Sequence, residues 1–217
     1  MTRHFLSVAP LAPADLTVLL LAARVIASGK MAFTFLAWNL VLAAVPLFLA
    51  KPLAFAIEAR RWLFAVAVGV PWLLFLPNAP YLVTDLVHLR VRQGVPYWFD
   101  VALLGAAALA GLTLGVGALS RVETAVRAAV GQVAALGLVV AASLASGFGI
   151  WLGRFGRFNS WDFFTSPSQL VSHTMAPLLS PTRHPQAIGV TLVFAAVFAS
   201  AYFAVGPRQH GAFKSPA

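Results

Sequence analysis

The run Phe99-Asp-Val-Ala-Leu-Leu-Gly-Ala-Ala-Ala-Leu-Ala-Gly-Leu-Thr-Leu-Gly-Val-Gly-Ala-Leu119 decides the class of fold. As a helix, an apolar stretch of this length crosses about 30 Å of hydrocarbon, the thickness of a bilayer core. Working outward, residues 62–77 and 31–50 on one side and 128–149 and 187–205 on the other read as further spans. Residues 14–28 are shorter and carry Asp15 and Arg24 about one turn from either end, where Asp15 can cap the helix and Arg24 can snorkel to headgroups. That stretch reads as a sixth span rather than a cleavable signal; if it does not cross, five remain. The expectation is an all-α, polytopic transmembrane bundle of about six spans with short interfacial or re-entrant helices. It forms a single integral membrane domain over 1–217, with a flexible tail at 207–217.

Composition agrees and excludes much else. Hydrophobic residues make up 60% and charged residues 10%, against about 45–50% and 25% in soluble domains, and mean hydropathy is +0.87. Disorder needs the opposite balance. With no cysteine, there is no disulfide scaffold, thiolate nucleophile, cysteine–zinc site or iron–sulfur cluster. The formal charge of +9 would suggest nucleic acid in a soluble chain. Here the basic residues lie between spans, where membrane lipids are the expected partners, and no basic helix with interleaved aromatics is present to follow a phosphate backbone.

Six spans put both termini on one face. That face carries Arg3, Lys51, Arg60, Arg61, Arg121, Arg127, Arg208 and Lys214, and the other carries Arg24, Lys30, Arg90, Arg92, Arg154, Arg157 and Arg183. The counts are nearly equal, but several of the second group sit beside unusual polar residues. This assigns the termini to the cytoplasmic side. The pairs Gly111/Gly115, Ser143/Gly147 and Gly149/Gly153 have the small-xxx-small spacing that lets helices approach closely. They suit packing within the bundle, and the same faces would serve homo-oligomer formation.

Two connecting segments, within 78–92 and 154–180, concentrate polar residues on the face opposite the termini. In Leu76-Pro-Asn-Ala-Pro-Tyr-Leu-Val-Thr-Asp-Leu-Val-His-Leu-Arg90, Pro77 and Pro80 should stop the preceding helix, with Asn78 in the turn. If an α-helix resumes, Tyr81, Asp85, His88 and Arg92 form one polar stripe. In Trp151-Leu-Gly-Arg-Phe-Gly-Arg-Phe-Asn-Ser-Trp-Asp-Phe-Phe164, a continuing helix would align Arg154, Arg157 and Trp161, whereas Asn159 followed by Asp162 resembles a new start. Ser166-Pro-Ser-Gln169 has a cap, a proline at the first position and a glutamine three on, predicting a surface helix over 167–179.

These two segments, Leu76–Leu89 and Gly153–Asp162, resemble the paired signature of a bacterial family of multipass membrane proteins catalogued as domain of unknown function 1361. The resemblance covers roughly residues 30–205 and implies a bacterial cytoplasmic membrane location. It implies no activity.

The chemistry therefore rests on the residues. Asp85 and His88, at i and i+3, can face the same way and support proton transfer or metal ligation, and Asp162 would complete a two-carboxylate, one-histidine set if the segments meet. The plainer reading has Asp85 and Asp162 neutralising Arg154 and Arg157. His4, His173, His184 and His210 read as solvated, and no hydrolase, zincin, nucleotide or calcium motif is present. Three functions are compatible with these residues. A binding or transport protein would hold an anionic small molecule or lipid headgroup through Arg154 and Arg157, with Asn78, Tyr81, Asn159 and Trp161 around it. An intramembrane enzyme on a lipid or isoprenoid-linked substrate would use Asp85, His88 and Asp162 as catalytic groups. An assembly subunit would use the same residues as an ion-pair lock. Paired arginines among few acids favour the first, and no resident metal or cofactor is called for.

Overall fold

Backbone groups in hydrocarbon must satisfy one another, so runs rich in leucine, alanine and valine become helices. The computed structural model describes residues 12–92 and 94–206, and it contains no strand among them. The expected tail at 207–217 lies outside the described residues, as do Arg3, His4, Arg208, His210 and Lys214. The helices are α1 (Ala12–Ser28), α2 (Phe35–Glu58), α3 (Trp62–Phe75), the single turn α4 (Asn78–Tyr81) continuing as a 3₁₀ stretch (Leu82–His88), α5 (Tyr97–Ala129), α6 (Gln132–Arg154), the turn α7 (Asp162–Thr165), α8 (Pro167–Leu179) and α9 (Pro185–Val205).

Five of these segments are long and apolar enough to cross a membrane: Phe35–Glu58, Trp62–His88, Tyr97–Ala129, Gln132–Arg154 and Pro185–Val205. Helix α1 has 17 residues, about 25 Å at 1.5 Å per residue, just short of the hydrocarbon thickness. It packs against α5, with Arg24 near its end meeting Asp100 in the first turn of α5, and buries Ala14, Thr17, Leu21 and Arg24 at helical spacing. Outward faces carry Phe48, Leu63 and Val133, each more than 70% exposed to the surroundings. Trp62 and Trp98 stand exposed at helix starts, where membrane interfaces favour tryptophan.

Arg24 corrects an expectation. It does not snorkel: it is 1% exposed and forms a two-point ion pair with Asp100, Nε to Oδ1 at 2.7 Å and Nη2 to Oδ2 at 3.2 Å. The first turn of α5 supplies this acid, and a fork of two donors onto two oxygens is the arrangement that best offsets desolvation. At the opposite end of α5, buried Glu123 accepts from Arg127 one turn on.

Small residues set how closely the helices meet. A side-chain carbon at Gly111 would overlap the Ala79 carbonyl oxygen, and one at Gly115 would meet Ala79 and Phe198 at 2.9 Å. One at Gly149 would strike Pro77 at 2.5 Å, and one at Gly147 would overlap the Thr191 carbonyl of α9. The Pro77–Tyr81 turn is thus wedged between glycine faces of α5 and α6, which places the first motif inside the bundle.

Candidate functional site

The wedged turn dictates the conformation of the chain immediately after it. The α-helical stripe expected from Tyr81 to Arg92 does not form, because Leu82–His88 is a 3₁₀ helix with three residues per turn. Leu82, Asp85 and His88 then share a face, with Leu82 and Asp85 fully buried, while Tyr81 turns towards α6. The α-helix of the third span stops at Phe75, ahead of Pro77 and Pro80, and with the turn and 3₁₀ stretch that follow, Trp62–His88 is long and apolar enough to cross a membrane as one unit.

The second motif also departs from a continuous helix. Helix α6 ends at Arg154, and Arg157 takes a left-handed backbone with φ 58°, so Arg154, Arg157 and Trp161 do not share a helical face. The chain turns back instead and re-initiates. Asp162 Oδ2 accepts the Asn159 backbone N–H at 2.7 Å and Oδ1 accepts the Thr165 hydroxyl at 3.0 Å, so this carboxylate ties together the turn that opens α7. Helix α8 starts at Pro167 as the sequence predicts, although Ser166 makes no side-chain capping bond.

The two motifs meet. Asn78 Nδ2 donates to Ser160 Oγ at 2.9 Å and to the Phe75 carbonyl at 2.9 Å, and Ser160 Oγ donates to the Leu74 carbonyl at 2.9 Å. Arg154 Nη1 stands 3.9 Å from Asp85 Oδ1, a Coulomb contact without a hydrogen bond. Asp85 is held more directly by α2, where Asn39 Nδ2 donates to Oδ2 at 3.0 Å. Trp161 packs edge-on to Trp38 of the same helix, centroids 6.4 Å apart. His88 sits edge-on to Phe35 at 5.2 Å, within the electrostatic field of Arg154, Arg90 and Arg92.

Between α2, α3, α6 and α8 lies a cavity of about 490 Å³, within the usual range for a small-molecule site. Its walls are mostly apolar, with Trp38, Leu73, Phe148 and Phe163 among them, and its polar residues include Asn39, Asn78, Tyr81, Asn159 and Ser160. Leu170, Val171, Thr174 and Met175, on one face of α8, form its roof. Three of the residues singled out as ligand-binding in the sequence, Asn78, Tyr81 and Asn159, line this space. Arg154 follows the lining residue Gly153, and Arg157 is exposed on the adjoining loop.

Other expectations are not met. Asp162 pairs with neither arginine, because its oxygens are used within its own turn. Asp85, His88 and Asp162 do not converge, and among the described residues no three histidine, aspartate or glutamate side chains gather as a metal site. Asn39 and Asp100 were missed by the motif reading, yet a polar residue inside a span is itself a signal of a buried partner.

A family model described as "Protein of unknown function (DUF1361)" matches residues 38–200. The chain belongs to this family. Both motif segments and every cavity-lining residue fall within the DUF1361 match, whereas α1 precedes it. Comparison with curated proteins and with solved structures gave no match.

Proposed function

We propose that this DUF1361 protein binds an amphiphilic anion of the phospholipid or isoprenoid-phosphate class, its apolar part in the cavity and its headgroup at the arginine-bearing rim. The cavity carries this reading. An apolar chamber with asparagine amides in its wall and Arg154 and Arg157 close to its lining in the chain suits a molecule with an oily part and a negative head. The roof is a surface helix with few ties to the spans, so a lipid chain can enter sideways beneath α8. The catalytic reading has less support, since Asp85, His88 and Asp162 neither line the cavity nor converge. The assembly reading is weakened because the tightest ion pair between helices is Arg24–Asp100, outside both motifs.

We place the protein in the bacterial cytoplasmic membrane with α1 crossing and both termini cytoplasmic. The packing of α1 along α5, with Arg24 near its end meeting Asp100 at the start of α5, supports the crossing of α1.

The test is lipid retention. Protein extracted in mild detergent is analysed by native mass spectrometry as wild type and as Ala145→Trp, which fills the chamber from α6. An anionic lipid carried by the wild type and lost from Ala145→Trp is the expected result. Equal retention by both proteins would refute the cavity assignment.

A further inference from the structure

A second cluster of cationic side chains lies apart from the cavity, where the α1–α2 turn meets the segment before α5. The guanidinium carbons of Arg24 and Arg92 lie over the same Phe33 ring, 4.7 Å and 4.6 Å from its centroid. Phe33 is 3% exposed and holds a left-handed backbone at φ 67°, a conformation unfavourable for a bulky residue. The turn nevertheless keeps the ring where both cations use it.

The charges do not balance. All six acidic side chains of the chain are described, and Asp100 is the one paired with Arg24, both of its oxygens being occupied by that residue. Asp85 and Glu123 pair with Arg154 and Arg127, and among the described residues no carboxylate lies within salt-bridge distance of Arg92. Two donors are orphaned as well. Arg24 Nη1 and Arg92 Nε are buried from solvent and have no hydrogen-bond acceptor. Each unsatisfied buried donor is costly, and more so on a charged group. Two such donors, on guanidiniums over one ring and with one net positive charge among Arg24, Arg92 and Asp100, are groups that an oxygen-rich anion would satisfy. Guanidinium forks match phosphate oxygens in geometry as well as charge.

We propose that Arg24, Phe33 and Arg92 form a second anion site that takes a phosphate group, from either a lipid headgroup or a free phosphate. It shares no residue with the cavity and does not depend on the cavity's ligand. Arg24 also holds Asp100, so Arg92 is the residue to vary.

The experiment monitors thermal unfolding of the full chain in neutral detergent. The probes are inorganic phosphate, phosphatidylglycerol and, as the zwitterionic comparison, phosphatidylcholine. Phosphate or phosphatidylglycerol is expected to raise the midpoint of wild type, and part of the shift should remain in Arg154→Gln, whose cavity rim has lost a cation. Arg92→Gln should weaken the apparent affinity at least ~10-fold, the loss of one charge-assisted hydrogen bond. A shift with phosphatidylglycerol alone identifies a headgroup, and a shift with both probes identifies the phosphate itself. In Ala145→Trp the shift that depends on Arg92 should remain, which separates this site from the cavity. If Arg92→Gln does not fold, Arg92→Lys replaces it, keeping the charge but lacking the Nε donor, with several-fold weaker binding expected. The proposal is overturned if the Arg92 variant binds as wild type, if Arg154→Gln abolishes the shift, or if no phosphate probe shifts the wild type.

Discussion

Arg24 and Asp100 are each 1% exposed, and removing one leaves the other as an uncompensated buried charge. Asp100→Asn should therefore cost about 3–5 kcal/mol, and Arg24→Leu with Asp100→Leu should recover most of it. Unfolding in mixed micelles measures both, and a single variant as stable as wild type would show the pair to be solvated. Asp85 behaves differently. Its arginine is 3.9 Å away and 24% exposed, and its closer partner is the neutral amide of Asn39. An asparagine at 85 can still accept from Asn39, so Asp85→Asn should cost only about 1 kcal/mol. This residue scale was partly legible in the sequence. Asn78, Tyr81 and Asn159 stood out by their motif, but Asn39 sits in an otherwise apolar span, where hydropathy averages it away. Asp100 could have been found from Arg24. A cation one turn inside a span needs an acid at its own depth, and six-span topology puts the start of α5 there.

At the scale of elements, glycine spacing separates contact from open surface. Gly111→Ala brings a carbon onto the Ala79 carbonyl, where only backbone movement relieves it, and should cost about 1–3 kcal/mol. Gly137 has nothing within 4 Å of the same added carbon. Gly137→Ala should therefore be neutral or stabilise by up to about 1 kcal/mol through helix propensity. Equal effects in the same unfolding assay would mean that the Pro77–Tyr81 wedge is not seated as described. The glycine pairs were readable as packing signals, and α8 began where its serine–proline start predicts. The 3₁₀ stretch was not readable, because its cause is tertiary. The Ala79 turn must fit against Gly111 and Gly115, and the chain beyond it tightens to bury Leu82 and Asp85 together.

For the whole molecule, the helix order puts the α2–α3 and α5–α6 turns at one face and both motifs at the other. The chain has no cysteine, so single introduced thiols report cleanly. Val130→Cys and Ala12→Cys should label from one side of intact membranes and Val91→Cys from the other. Labelling of Ala12→Cys from the Val91 side would show that α1 does not cross. Hydropathy made the spans legible because each residue contributes independently of its neighbours. The meeting of two segments some 80 residues apart is a property of packing that no local pattern carries.

That meeting is the central claim, and cross-linking tests it most directly. With Asn78→Cys and Ser160→Cys in one chain, a short bis-thiosulfonate reagent applied to native membranes should join the two positions nearly completely, as the 2.9 Å Asn78–Ser160 bond requires. Asn78→Cys with Val130→Cys, at opposite faces, should give no product. Absence of the 78–160 link, or equal yield from both pairs, would contradict a single site built from the two motifs.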